Sequence, residues 1–352
     1  MTTVPTGTTP LNAADYETLA RQLLDRATWD YFAGGSGDEV TLRANSAAFE
    51  RLRLRPRVMV DEDPVSTATT ALGAPIELPV LVAPTAYHGL VHADAECATA
   101  IGAGGAGTIM VVSVNSNRTL EDVAAAATRP VWLQLYLTHD HAADEGIVRR
   151  AEGAGFAALV LTVDRPVYGA REKDVRNSFR LPDHLLAANF GGTRDLRATT
   201  WTSWAALDWL LETTNLPVAV KGILTGEDAL TAVEHGAAAV IVSNHGGRQL
   251  DGVLAGIEAL PAVVSAVDGR CEVLCDGGVR RGTDVLKALA LGARAVLVGR
   301  PIVWGLAVDG AAGVAAVLRM LRAELERDLT LCGRCRVSDV DRSLVTPIPE
   351  LS

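Results

Sequence analysis

Short apolar runs alternate with amphipathic stretches along most of the chain. The runs Leu78–Ala83, Thr108–Ser113, Val131–Leu135, Ala158–Val163, Pro217–Lys221, Ala238–Ser243, Glu272–Asp276 and Ala295–Gly299 are too short for helices. Being apolar almost throughout, they read as strands buried on both faces of a parallel sheet. Between them, helical periodicity predicts helices at Asp94–Ala103, Leu120–Ala127, Ala142–Ala154, Ser203–Thr213, Gly226–Glu234, Leu254–Val267 and Thr283–Ala290. Several close on a glycine (Gly155, Gly236, Gly292), the residue that ends helices in a left-handed turn. Strand and helix alternating over eight strands is the pattern of an α/β fold, the (β/α)8 TIM barrel.

Two segments break the rhythm. Residues 11–76 form an N-terminal extension with helices predicted at Asp15–Leu24 and Val40–Phe49, expected to cap the barrel's N-terminal mouth. Residues 165–201, after strand four, exceed an ordinary βα loop and are expected to form an active-site lid. With the barrel at 77–330 and a tail at 331–352, no composition break divides the chain, so residues 1–352 read as a single domain. Gly102-Ala103-Gly104-Gly105-Ala106-Gly107 satisfies G-x-G-x-x-G, but it closes a helix and precedes a strand. A dinucleotide fingerprint does the reverse, so this one is read as an αβ turn.

Composition narrows the function. At 49% hydrophobic and 21% charged, the 352-residue chain can bury a large core. Its net charge of −10 argues against a nucleic-acid or anionic-membrane partner. Lys173, Lys221 and Lys287 are the only lysines among 32 basic residues, so an arginine's role must come from its position. No uninterrupted apolar stretch reaches the roughly 20 residues of a membrane span. Met1–Pro10 does not read as a signal peptide, nor Glu350-Leu351-Ser352 as a peroxisomal address. Cys97, Cys271, Cys275, Cys332 and Cys335 make no disulfide framework, and a cytoplasmic location is expected. Cys332-Gly-Arg-Cys335 lacks the further ligands zinc needs, and His139-Asp140-His141 reads as a solvated helix start; no metal is expected.

Polar groups gather where barrel enzymes place chemistry, at the C-terminal ends of strands. Those ends read Ala83-Pro84-Thr85-Ala86, Ser113, Gln134-Leu135-Tyr136, Thr162-Val163-Asp164, Lys221-Gly222, Ser243 to Asp251, Asp276 to Gly282 and Gly299-Arg300. Asp276-Gly277-Gly278-Val279-Arg280 with Gly299-Arg300 has the place of the phosphate site formed after strands seven and eight. In Ser243-Asn244-His245-Gly246-Gly247-Arg248, a histidine base stands three residues before an arginine able to grip a carboxylate in bidentate fashion.

These motifs together resemble the FMN-dependent (S)-2-hydroxy acid oxidases and dehydrogenases, the family that includes glycolate oxidase, lactate oxidase and mandelate dehydrogenase. Asp30-Tyr31-Phe32-Ala33-Gly34-Gly35 and Leu54-Arg55-Pro56-Arg57 add to the likeness, which runs from about Tyr16 to Arg342. The resemblance implies FMN as cofactor. It implies His245 as base with Asp164 as its partner, and Arg171 and Arg248 on the substrate carboxylate, assisted by Tyr31 and Tyr136. Lys221 would stand at the N1–O2 edge of the flavin. Ser113, Gln134, Thr162 and Ser243 would bond the ring or ribityl chain, with the backbone of Pro84, Thr85 and Ala86 lining it. Asp276, Gly277, Gly278, Val279, Arg280, Gly299 and Arg300 would take the ribityl and phosphate end. It also implies a homo-oligomer, a tetramer or octamer.

The sequence departs from the family in places. Glycolate-type plant enzymes carry tryptophan where Asn115 stands, which leaves room or polarity for a side chain larger than that of glycolate and leaves the identity of the 2-hydroxy acid open. Ala86 replaces the glycine of mandelate-specific members, and Tyr87 is expected to fill part of the space. No membrane-binding insertion is seen in the long loop. The expectation is oxidation of an (S)-2-hydroxy acid, with O2 reoxidising the flavin to give H2O2. A quinone or other acceptor is the alternative, and a flavin-free phosphate-substrate isomerase the third reading.

Overall fold

The computed structural model describes residues 9–60, 63–190 and 200–347. The expectations for residues 1–8, for residues 191–199 of the long loop and for Glu350-Leu351-Ser352 lie outside the described residues. Eight parallel strands close into a barrel: Val80–Val82, Met110–Ser113, Val131–Leu135, Ala158–Thr162, Val218–Ile223, Ala239–Val242, Glu272–Asp276 and Ala295–Val298. They are called strands one to eight below. Strand eight pairs with strand one, Val296 opposite Val80, which completes the ring. All eight were predicted, with ends within two residues of those observed, as were the nine helices read from periodicity.

The continuous apolar runs still obey the strand's two-residue period. Leu81, Val111, Trp132, Val160, Ala219, Ile241, Leu274 and Leu297 point inward and fill the barrel. Their neighbours Val80, Val82, Val112, Leu133, Leu159 and Val220 point outward onto the helices. Helices start where a short polar side chain can accept an orphan amide: Asn12, Asp25, Thr119, Asp140, Ser203 and Thr225 all do so. Gly102–Gly107 closes the helix Ala95–Gly105 ahead of strand two, the turn expected from its context.

The extension corrects its predicted placement. It contains three helices, α1 (Ala13–Leu23), α2 (Arg26–Ala33) and α3 (Val40–Glu50), and the second was not predicted. A hairpin, Thr69–Ala71 with Ala74–Ile76, plugs the N-terminal mouth: Ala71 and Ile76 join the inner core, and Leu72 N donates to Glu272 at the start of strand seven. Helices α2 and α3 lie instead at the opposite, catalytic face. Thr41 N donates to Asp251 Oδ1 (2.8 Å), and Ser36 N to the Gly247 carbonyl (2.8 Å).

The helix Arg300–Leu331 was also missed, because it begins directly after strand eight with Pro301 in its first turn. It is long and apolar enough to cross a membrane by length and composition, but it is broken at Asp309–Gly310 and mostly buried against the barrel. The tail is tied back, Val345–Pro347 pairing antiparallel with Leu52–Leu54. Within the long loop, Glu172–Arg176 forms a short helix.

Candidate active site

A cavity open to solvent lies at the C-terminal end of the barrel. Its lining includes every predicted site residue except Asp164 and Ser243. Those two stand directly behind it, bonded to His245 and Lys221 respectively.

The base is built from two strand ends. His245 follows strand six in a left-handed conformation (φ 59°), unusual for a residue with a side chain. Its amide donates to Ser243 Oγ, and its Nδ1 lies 2.8 Å from Asp164 Oδ1. An ionised carboxylate can only accept, so Nδ1 carries the proton and Nε2 is free to take one. Nε2 lies 3.4 Å from the Tyr136 hydroxyl. Burial, aided by Lys221 and Arg171, holds the histidine below its ordinary pKa despite the pull of Asp164, so the resting ring is neutral. Asp164 is itself held below the ordinary carboxylate range, burial being outweighed by His245 and Lys221. Gly222 (φ +114°) makes this pairing possible, since a Cβ there would stand 2.6 Å from that of Asp164.

Lys221, at the end of strand five, is buried with its charge intact. Burial opposes the charged form, but the Asp276 and Asp164 carboxylates together raise its pKa. Its Nζ stands 2.9 Å from Asp276 Oδ2 and donates to Ser243 Oγ at 2.7 Å.

Three arginines converge from different elements. Arg248 Nη1 donates to the Tyr31 and Gly34 carbonyls of the extension (2.6 and 3.0 Å), and its guanidinium covers the Tyr31 ring at 5.1 Å. Among the described residues its Nε and Nη2 make no hydrogen bond. Arg171 Nη1 donates to the Tyr168 hydroxyl (2.8 Å) and Nε to the Arg248 carbonyl. Burial and the neighbouring Arg171 lower Arg248 to about 10, still fully charged at neutral pH. The buried Arg171 and half-buried Arg248 guanidiniums, with Asp174 as a nearby carboxylate but neither in an ion pair among the described residues, form a seat for a carboxylate. The third, Arg300, spends three N–H groups on the carbonyls of Phe32, Gly246 and Gly34, which ties strand eight to both the extension and the histidine loop.

Among the described residues, several buried polar atoms of residues lining the cavity have no partner: Gln134 Nε2, Thr162 Oγ1, Asp276 Oδ1 and Asn115 Oδ1. Orphaned buried polar atoms are rare and point to a missing ligand. Donors at strands three and four, a buried ammonium at strand five and a glycine loop after strand seven suit a flat heterocycle with a phosphate tail. These residues therefore fit FMN. Thr85, on the cavity's wall, is steadied from behind by His88 (Oγ1 to Nε2, 2.6 Å).

Sequence reasoning missed Phe32, Arg165 and Tyr168 in the lining, and Phe179, which stacks on Tyr31 at 4.6 Å. Arg165 lies over the ring of Tyr136 (4.8 Å). The signal was an arginine directly after Asp164, with a tyrosine three residues on, in a loop with no periodicity to orient either.

The profile of the FMN-dependent dehydrogenase family matches residues 20–347. Among curated proteins, an L-lactate oxidase of Nostoc sp. is 46% identical, over 96% of this chain and 98% of its own. Glycolate oxidase 1 of Zea mays is also 46% identical, over 97% of each. Among solved structures, a mandelate oxidase with benzoyl-formic acid superposes with a TM-score of 0.92 at 44% identity, covering 97% of this chain and 99% of that one.

Proposed function

The chain belongs to the FMN-dependent dehydrogenase family, and we propose that it oxidises an (S)-2-hydroxy acid to the 2-oxo acid, with O2 as final acceptor and H2O2 as co-product. The observation that carries this reading is one cavity lined by a neutral His245, backed by the ionised Asp164, together with the Arg171 and Arg248 guanidiniums and the buried Lys221.

When bound, FMN supplies the two-electron acceptor and the route of those electrons to oxygen. The rest is this chain's work. Arg171 and Arg248 hold the substrate carboxylate, with the Tyr31 and Tyr136 hydroxyls fixing its orientation. As the α-carbon goes from carbinol to ketone, the substrate loses its α-hydrogen, its hydroxyl proton and two electrons; His245 Nε2 takes one hydrogen as a proton, and the electron pair is what the bound acceptor would receive. Asp164 steadies the imidazolium that results. Lys221 stands as fixed positive charge where negative charge grows on the cofactor. Ser113, Gln134 and Thr162, with the backbone of Pro84, Thr85 and Ala86, would hold the ring and ribityl chain; Ser243, expected among them, lies behind the cavity, where its Oγ accepts from Lys221 Nζ and His245 N. Asp276, Gly277, Gly278, Val279 and Arg280, with Gly299 and the remaining N–H groups of Arg300, would hold the ribityl and phosphate end.

Oxygen as acceptor is supported by relatives named as oxidases. The mandelate oxidase crystallised with benzoyl-formic acid supports a substrate bulkier than glycolate, in keeping with Asn115 in the cavity wall. The reading takes residues 1–352 as one functional domain. A cytoplasmic location and a homotetramer belong to the same proposal. The purified protein should be yellow and release FMN on denaturation. Colourless protein that cannot be reconstituted with FMN would overturn the reading; flavin that substrate reduces but air does not reoxidise would move the acceptor to a quinone.

A further inference from the structure

Two loops that do different work in this site meet on one side chain from outside the barrel. Asn45, in the middle of α3, is buried (2% exposed) and forms a reciprocal amide pair with Asn244. Asn45 Nδ2 donates to Asn244 Oδ1 at 2.9 Å, and Asn244 Nδ2 donates to Asn45 Oδ1 at 2.7 Å. The orientation of Asn244 is not arbitrary. Its Oδ1 also accepts from Gly247 N (3.0 Å), and its Nδ2 also donates to the Leu254 carbonyl (3.0 Å). Backbone groups thus decide which end is which, and all four hydrogen-bonding capacities of this amide are used.

Asn244 directly precedes His245, whose left-handed φ must be held by its surroundings. Asn45 also lies against the glycine loop after strand seven. A Cβ on Gly277 would stand 3.2 Å from Asn45 Oδ1, and one on Gly278 would collide with the Asn45 carbonyl. Both glycines have positive φ (+90° and +89°), the conformation that turns their backbone toward the cavity. The contact continues along α3, where Thr41 Oγ1 accepts from Gly252 N and Val253 N on the far limb of the histidine loop.

We propose that Asn45 is a positioning residue that locks the His245 turn and the Gly277–Gly278 loop to α3 as one unit, so that seating the phosphate end of the cofactor and setting the base are coupled. This rests on FMN occupying the site. Removing the donor of Asn45 leaves Asn244 Oδ1 short of one buried bond, and because Asn45 packs on Gly277 and Gly278 as well, any shift of α3 that relieves that loss is passed to the second loop.

The test uses Asn45→Asp, which keeps the shape but sets a carboxylate oxygen against Asn244 Oδ1 in place of the donor, beside Asn45→Ala, which removes the pair without adding charge, and wild type. FMN affinity is measured by titrating apoprotein and following quenching of flavin fluorescence. Holoenzyme at saturating FMN is then reduced anaerobically by substrate in a stopped-flow instrument. The expected result is FMN binding weakened on the order of tenfold or more and a flavin reduction rate lowered by a similar factor. The substrate concentration giving half-maximal rate should change little, since the carboxylate clamp is untouched. Asn244→Ala combined with Asn45→Ala should weaken FMN binding no further than the worse single change. If wild type binds FMN but Asn45→Asp binds it equally tightly and is reduced at the wild-type rate, with only the melting temperature lowered, the coupling is wrong while the flavin reading stands. If Asn45→Ala does not fold, Asn45→Asp decides alone. Wild type that fails to bind FMN overturns the underlying reading itself.

Discussion

His245 Nδ1 and Asp164 Oδ1, brought from strands six and four, meet at 2.8 Å with Nε2 left facing the cavity. The pair defines the protonation state in which the site works. Because burial holds His245 below the ordinary histidine value, kcat/KM should stay flat from neutrality downward and fall only as pH drops through a value below about 6.5. In Asp164→Asn the one strong influence raising His245 is lost, so the acid limb should move lower still. The rate of flavin reduction should fall about a hundredfold, since the imidazolium is no longer steadied. An acid limb that moves upward would contradict this assignment.

His245→Gln should retain FMN, because the histidine is not among its proposed ligands, while flavin reduction by substrate falls at least a hundredfold. A visible spectrum and a single-turnover rate measured on the same sample check both halves.

Arg248→Lys tests the carboxylate seat. An ammonium cannot reproduce the fork that bonds Tyr31 and Gly34 through one nitrogen while presenting others to a carboxylate. Loss of one charge-assisted bond, about 1.5–3 kcal/mol, should lower kcat/KM by about ten- to a hundredfold. Steady-state kinetics with unchanged KM and kcat would count against the clamp.

Lys221→Met should act on stability as well as rate. Asp276 would be left as a buried carboxylate without its 2.9 Å partner, which costs about 3–5 kcal/mol. A clear drop in the melting temperature of the apoprotein is expected, along with slower flavin reduction. A variant as stable as wild type would show that the pair is not the buried unit described.

Asn115 places a buried amide oxygen without a partner in the cavity wall. Asn115→Leu should raise kcat/KM for 2-hydroxy acids with long aliphatic side chains and lower it for those carrying a side-chain hydroxyl, as a competition assay would show. Equal changes for both would remove Asn115 from the determinants of specificity.

The barrel was legible because each strand is a short apolar run bounded by turn residues, a pattern set locally. The strand-end chemistry was legible for the same reason: Lys221 and Asp276 each end such a run, and His245 follows one two residues after Ser243. Helix α2 escaped because it is only 8 residues long, Arg26 to Ala33, too short for a repeat to stand out. The face on which the extension sits depends on bonds such as Thr41 to Asp251 and Asn45 to Asn244, some 200 positions apart (|i−j| of 210 and 199). Nothing near either end of those bonds announces the other. Arg165 and Tyr168 lie in an irregular loop, where no repeat dictates which side chain turns inward. Arg300, expected as a phosphate ligand, proves also to be a tie between three segments, a role that only three-dimensional proximity reveals.

The most direct measurement is anaerobic: the yellow protein is mixed with a panel of (S)- and (R)-2-hydroxy acids, flavin absorbance is followed, and oxygen is then admitted. The account expects bleaching by one or more (S)-acids and not by their (R)-enantiomers, followed by return of the colour with one H2O2 for each flavin reoxidised. Flavin that stays oxidised with every acid, or that bleaches equally with both enantiomers, would contradict it.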